Sequence, residues 1–473
     1  MSGNIIFSFQ TLPIELVYRI LDNLDQLTIL LSMRDVCTRL NSIIDTYFQY
    51  KTSTELNLQH KKISCAKLMQ LATALQTNTT LTTLHLEGNT IDLEGLKYLT
   101  NALKINKTLT TLYLVSNNID GNRSQYLADV LLKNSKLTTL HLSSNKIGVK
   151  GSQYLSNALQ TNLTLQTLDV RSNEIGIEGS KYLANLLQIN RTLTTLDIGW
   201  NQISFQGAKH LANALQVNKT LITLDLRENE IGIQGTQYLT DALKINMATY
   251  FLFLSIIYSF LSYNIDTHST YSWRKRNQTK RSGIFSQFIK NEQSKTIITL
   301  TILDLKCNEI GIEGSYYLSN ALKINKTLTT LDLGWNKIGI EGARYLANAL
   351  QINMILKTLD LEHNQIGIQG AQYLSNALEI NTTLTTLILG GNDISNQGAQ
   401  DLANSLLVNR TLLVLDLKWN KINDQGAEYF CHALKSNSTL TMLQLEGNSI
   451  NVDNSQYLPH LLQTIPKRIQ LSQ

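Results

Sequence analysis

LTTLDLGWNKIGIEGARYLANALQIN, running from Leu328 to Asn353, is the stretch whose reading decides the fold. Leu stands at positions 1, 4 and 6, Asn at position 9, and Ile two places further on. A Gly four residues beyond that Ile opens an Ala/Leu/Tyr-rich run, and a second Asn closes it. The position-9 Asn recurs every 28 residues at Asn89, Asn117, Asn145, Asn173, Asn201 and Asn229, and resumes at Asn308, Asn336, Asn364, Asn392, Asn420 and Asn448. Each of the twelve is followed two places later by Ile. A fixed period of this length predicts a solenoid, in which each unit buries its apolar face only against its neighbours.

Within one unit, LTTLDL alternates Leu with exposed positions, the period of a short strand. The position-9 Asn has both donor and acceptor groups, so stacked copies can satisfy turn backbone that no ladder serves. Gly and the following Ala or Ser let the next helix start close to its neighbour. YLANALQIN spaces Tyr, Leu, Ala and Leu for a helix, and its closing Asn suits a left-handed C-cap. Parallel strands on one face and thicker helices on the other predict a curve with the strands on its concave side.

These residues resemble leucine-rich repeats, and the 28-residue helical form is similar to the ribonuclease-inhibitor-like class, which also occurs in nucleotide-binding innate-immune receptors. The resemblance implies an α/β fold, a curved leucine-rich-repeat solenoid. Its halves are residues 52–246 and 298–465, the second including a C-terminal cap. The first unit (Glu55 to Leu58, with Lys61 at the Asn register) and the last (Asn454 at the Gly position) are irregular, as end caps are. Arg123 holds the Gly position in one further unit.

Residues 8–50 lack the period. Pro13 suits a first helical turn, Leu12, Leu16, Ile20 and Leu24 share a helical face, and Leu27, Leu30, Leu31, Val36, Leu40 and Ile44 continue the apolar pattern. Three short helices are expected. About 40 residues are too few for a core of their own, so the unit must pack on something. Leu12-Pro13, Glu15-Leu16, Ile20-Leu21 and Leu24, with Val36-Cys37 and Arg39, resemble an F-box, although Leu40 stands where that family often has an aromatic. The resemblance implies docking to the Skp-type adaptor of a cullin–RING ubiquitin ligase through Leu12, Pro13, Glu15, Leu16, Ile20, Leu24, Val36 and Cys37. A helical cap over the first repeat explains the same apolar residues.

On the concave face the variable positions carry a column of Asp: Asp169, Asp197, Asp225, Asp304, Asp332, Asp360 and Asp416. Trp200, Trp335 and Trp419 each precede a ladder Asn. His85, His141 and His363 interrupt the pattern, and Arg171, Arg227, Lys306 and Lys418 partly neutralise it. Aromatics among charges suit a protein-binding surface, here for a target with a basic, Arg-bearing patch. The plainer reading makes Asp a solubilising default of the strand.

Between Asn246 and Ile298 the frame is lost: Asn229 and Asn308 lie 79 residues apart, and deleting 247–297 restores the register. This insertion opens ATYFLFLSIIYSFLSY and continues to WRKRNQTKR. Its apolar run is too short to span a membrane, and a span would split one solenoid across a bilayer. A nuclear-import patch, a lid, a degenerate repeat and a translated intron all fit the text; a long, poorly ordered excursion is expected. The segment holds seven Lys/Arg and two Asp/Glu, which accounts for the whole formal net charge of +5. The repeats are therefore balanced, and no nucleic-acid or membrane partner is expected.

Four dispersed cysteines (Cys37, Cys65, Cys307 and Cys431) favour a reducing compartment. The start has no signal-peptide pattern, so cytoplasm or nucleus is expected. Asn78, Asn106, Asn162, Asn190, Asn218, Asn325, Asn381, Asn409 and Asn437 head N-x-S/T triplets that follow from the repeat, and no glycans are expected. No catalytic motif, metal cluster or cofactor site stands out. The F-box resemblance implies a substrate-recruiting ligase subunit. The rivals are a pure binding module of the inhibitor or innate-immune kind and, on a weaker footing, a small-GTPase activator.

Overall fold

A computed structural model describes Ile14, Val17, residues 54–244, residues 300–451 and residues 469–470. The chain divides into two compact units, 1–201 and 202–473. In the first unit, strands β1 (Glu55–Asn57), β2 (Thr83–His85), β3 (Thr111–Tyr113), β4 (Thr139–His141), β5 (Thr167–Asp169) and β6 (Thr195–Asp197) pair in parallel, each with the next. Register is strict, Leu56 opposite Leu84 and Leu168 opposite Leu196. Helices Cys65–Thr77, Leu93–Ile105, Ser124–Lys133, Gly148–Leu159 and Gly176–Ile189 lie between the strands in sequence.

The second unit repeats the design with β7 (Thr223–Asp225), β8 (Ile302–Asp304), β9 (Thr330–Asp332), β10 (Thr358–Asp360), β11 (Thr386–Ile388), β12 (Val414–Asp416), β13 (Met442–Gln444) and β14 (Ile469–Gln470). Across the 247–297 interruption β7 pairs directly with β8, Leu224 opposite Leu303. The repeats on either side of the insertion are therefore neighbours in one ladder. β14 lies past residue 465 and pairs Leu443 with Ile469, an offset of 26 that the 28-residue period does not foretell. The insertion itself and residues 452–468 lie outside the described residues.

Both units are parallel sheets with intervening helices, the architecture of a leucine-rich-repeat solenoid. Leu at positions 1, 4 and 6 and the Ile after the ladder Asn are buried, as Leu328, Leu331, Leu333 and Ile338 show, until Ile450 of the last unit, which is half-buried. Each buried Leu contributes about 2 kcal/mol relative to an exposed one, so the core is a line of small equal increments. Gly342 explains the close helix start. A Cβ there would fall 2.4 Å from Ile338 Cγ2 and 2.9 Å from Ser315 Oγ.

The ladder Asn is fully used. Asn336 donates Nδ2 to the Leu305 carbonyl (2.8 Å) and the Gly334 carbonyl (3.0 Å). Its Oδ1 accepts the amides of Asn308 (2.8 Å) and Ile310 (3.3 Å). The same set spans the insertion, where Asn229 donates its amide to Asn308 Oδ1 at 3.1 Å.

The closing Asn departs from expectation. Asn78, Asn106 and Asn190 have φ of −69°, −59° and −64°, not the left-handed conformation. Their side chains act instead. Asn106 Oδ1 accepts the amides of Thr108 and Leu109, and its Nδ2 donates to the Leu75 carbonyl one repeat back at 2.6 Å. A side chain that must reach both turns has no need of a positive φ. The same bonds engage the donor Nδ2 of the Asn that heads these N-x-S/T triplets, and Asn106, Asn190, Asn381 and Asn437 are buried.

Candidate functional site

Ile14 and Val17 of the N-terminal region are helical, Val17 buried and Ile14 exposed. Leu12, Pro13, Glu15, Leu16, Ile20, Leu24, Val36 and Cys37 lie outside the described residues. The site that can be built from geometry is the sheet face.

All seven Asp of the column share one local bond. The Oδ1 of Asp169, Asp197, Asp225, Asp304, Asp332, Asp360 and Asp416 accepts the amide two residues on, at 2.8 to 3.1 Å. Asp at this position therefore closes the end of its strand, a structural duty. The surroundings of the other oxygen decide whether it does more.

In the first unit the column is neutralised. His85, Tyr113 and His141, opposite one another in register, stack with ring centroids 4.3 Å apart in both pairs. His85 Nε2 lies 2.9 Å from Glu55 and its Nδ1 3.1 Å from Glu87. His141 Nδ1 lies 3.2 Å from Asp169, and Arg171 spans Asp169 (3.2 Å) and Asp197 (3.0 Å). Burial alone would push Asp169 up, but hydrogen bonds from His141 and Arg171 outweigh it and hold the carboxyl below its usual value. Trp200, at the end of this unit, is exposed. The sequence reading names both His but not Tyr113; aligning position 5 of consecutive repeats as His, Tyr, His is the signal that finds the stack.

In the second unit carboxylates prevail. Asp225, Asp304, Asp332 and Asp360 stand opposite one another on consecutive strands. Ile388 separates Asp360 from Asp416. Arg227 binds Asp225 and reaches Asp304 at 3.1 Å. Lys306 reaches past its neighbours to Glu362 at 2.8 Å. Lys418 lies 3.1 Å from Glu446 and 4.0 Å from Asp416. Burial, with repulsion from Asp225 and Asp332, pushes Asp304 up to about 6. Burial and Asp360 push Asp332 to about 6, and burial pushes Asp360 to about 6. The burial of Glu362 is outweighed by Lys306, which holds it below the usual range.

Beside this column stand exposed aromatics. Trp335 lies on His363 with centroids 3.9 Å apart and planes tilted by 32°. The His363 ring covers Gly391, where an added Cβ would fall 2.3 Å from Cε1. Trp419 likewise covers Gly447, 2.3 Å from Cδ2 to an added Cβ. Trp335 and Trp419 remain 49% and 64% exposed. These residues hold positive φ (59° and 55°), the conformation of the turn before the ladder Asn. Among the described residues no group of His, Cys, Asp and Glu is arranged to hold a metal, and no helix is long and apolar enough to cross a membrane.

The F-box domain model matches residues 9–51. The Leucine Rich repeat model matches ten segments: 77–99, 133–156, 161–184, 190–212, 217–239, 297–319, 325–347, 353–375, 381–403 and 408–431. The chain belongs to the F-box proteins with leucine-rich repeats. In this F-box leucine-rich-repeat protein the repeat carrying Arg123 is not among the matched segments. There Arg123 turns back to the carbonyls of Asn118 and Ile91, at 3.2 and 3.3 Å, and the helix is shortened to Ser124–Lys133. No curated protein matches the chain. Similar solved structures include the actin-binding site 2 of leiomodin-1, 29% identical over 28% of this chain and 78% of that one, TM-score 0.26. The yeast Rad7–Elc1 complex contributes a chain 16% identical over 97% of this chain and 91% of that one, TM-score 0.48. The leucine-rich repeat-containing protein LegL7 from Legionella pneumophila is 18% identical over 77% and 93%, TM-score 0.42.

Proposed function

We propose that this F-box leucine-rich-repeat protein is the substrate-recruiting subunit of a cullin–RING ubiquitin ligase. The F-box domain match at 9–51, immediately ahead of the repeat scaffold, carries this reading. Residues 8–50 dock a Skp-type adaptor through Leu12, Pro13, Glu15, Leu16, Ile20, Leu24, Val36 and Cys37. The repeats of 52–246 and 298–465 hold the target on their sheet face, where Asp169, Asp197, Trp200, Asp225, Asp304, Asp332, Trp335, Asp360, Asp416 and Trp419 stand. The segment 247–297 interrupts the repeat frame as a non-repeat insertion in the sequence. Protein–protein interaction is the work of both parts, and the ligase chemistry resides in other subunits.

Co-purification with a Skp-type adaptor tests the docking half. The wild type is expected to retain the adaptor and the Pro13→Ala/Leu16→Ala variant to lose it. Absence of adaptor binding by the wild type leaves an interaction module without a ligase role.

A further inference from the structure

The sheet face of the second unit is uneven in its chemistry, in an informative way. From β8 to β13 it presents six carboxylates (Asp304, Asp332, Asp360, Glu362, Asp416 and Glu446) against Lys306 and Lys418, with Arg227 reaching Asp304 from the strand before. Two flat aromatic surfaces stand beside those carboxylates, at Trp335 and Trp419, each seated on the next repeat. An indole face flanked by carboxylates fits a planar cation. A guanidinium stacks on the ring while its N–H fork binds carboxylate oxygens, and an ammonium lacks that double match.

The spacing adds a second constraint. Trp335 follows β9 and Trp419 follows β12, three strand spacings away, or about 14 Å at roughly 4.8 Å per strand. An extended peptide advances about 3.3 Å per residue, so side chains four residues apart are separated by about 13 Å. Of the two intervening repeats, the one after β10 places Glu362 and His363 beside Trp335, and the one after β11 has Gly390 and Gly391 at these positions and adds no side chain of its own.

We infer that the sheet face of the second unit binds an extended, arginine-bearing segment of a partner protein. That segment runs across the strands with one Arg on Trp335 and another, four residues away, on Trp419. The inference rests on the reading that the repeats hold the target, and it names the chemistry of that target. Charge complementarity argues for this occupant: the acidic surplus lies where the aromatic surfaces are.

The test uses fluorescein-labelled peptides and the full chain, read by fluorescence anisotropy. The peptides are a Gly/Ser chain carrying Arg-x-x-x-Arg, the same chain with the two Arg adjacent, and a Lys-x-x-x-Lys version. The protein variants are Trp335→Ser and Trp419→Ser, chosen because Ser116, Ser144 and Ser172 already hold this position with positive φ. The spaced Arg peptide is expected to bind about tenfold tighter than either control, and each Trp substitution to remove most of that advantage with unchanged thermal melting. Equal binding of all three peptides, or indifference to both Trp substitutions, overturns the inference. Binding that emerges only after residues 247–297 are deleted overturns it too, because the chain's own Arg274–Arg281 stretch is then the occupant. Adaptor co-purification is read separately, so loss of peptide binding with the adaptor retained refutes this inference alone.

Discussion

The two units spell nearly the same strand, LTTLD, and give it opposite electrostatics. In the first, Asp169 and Asp197 share Arg171, and His141 supplies a further contact. In the second, Asp332 and Asp360 are followed at the equivalent position by Gly334 and Glu362, and their carboxyls rise to about 6. The Asp is constant and its amide bond is constant. Burial and the cation actually in reach decide whether the carboxylate is a satisfied strand end or an unneutralised charge. Arg171 reaches both Asp169 and Asp197, whereas Lys306, two places after Asp304, reaches Glu362, and Asp304 still rises to about 6. A column read from sequence as one surface is therefore two surfaces.

The sharpest way to separate what the units share from what they do not is to remove a ladder Asn from each. Asn336→Ala leaves two carbonyls and two amides without their partner in a buried turn, and Asn145→Ala strips its own turn likewise. Each is expected to cost about 4 kcal/mol, similar in both units, measured by chemical denaturation. A cost confined to one unit contradicts a common ladder.

Arg171→Ala is the next largest. It leaves Asp169 and Asp197 without their shared cation and turns this part of the first unit into a copy of the second. A loss of about 2 kcal/mol at neutral pH is expected, together with a rise in the carboxyl titration of Asp169 by NMR. An unchanged Asp169 would assign its low value to His141.

Asp332→Asn and Asp360→Asn work in the other direction. A carboxyl raised above its unfolded value favours folding fully at pH below about 4 and loses that contribution as pH climbs through about 6. Asn keeps the acceptor for Gly334 or Glu362 and carries no charge. Each substitution is expected to stabilise the chain by roughly 1 kcal/mol at pH 7.5, after allowance for solvent screening, and to change nothing at pH 4. The same pair should weaken the spaced Arg peptide, so the protein gains stability as the face loses function. Melting temperatures at the two pH values check the first statement and anisotropy the second.

Much of this is legible in the chain before any coordinates. The 28-residue period, the Leu and Ile core, the ladder Asn and the restored register across 247–297 follow from spacing, because each repeat meets only its neighbours. The close approach at Gly342 is legible for the same reason. The closing Asn is misread as left-handed because a generic helix cap is weighed without the carbonyl that its side chain finds 31 residues back. The Asp column is read as a partly neutralised binding surface or a solubilising default, and its bond to the amide two residues on goes unseen because a pattern of exposed positions does not show it. Lys306 is read from sequence only as partly neutralising the Asp column, whereas its long side chain reaches Glu362 two strands away. The seating of Trp419 on Gly447 needs the ring orientation, which spacing alone does not give.

The claim that the forty non-repeating residues dock an adaptor, rather than only shield the first repeat, is tested most directly by calorimetric titration of a purified Skp-type adaptor into the full chain, with thermal melting of the same samples. One adaptor is expected to bind per chain, and Pro13→Ala/Leu16→Ala is expected to weaken the complex at least tenfold, with melting and spaced-Arg peptide binding unchanged. No heat of binding from the wild type, or a double variant that keeps the adaptor and melts early as a damaged cap would, contradicts it.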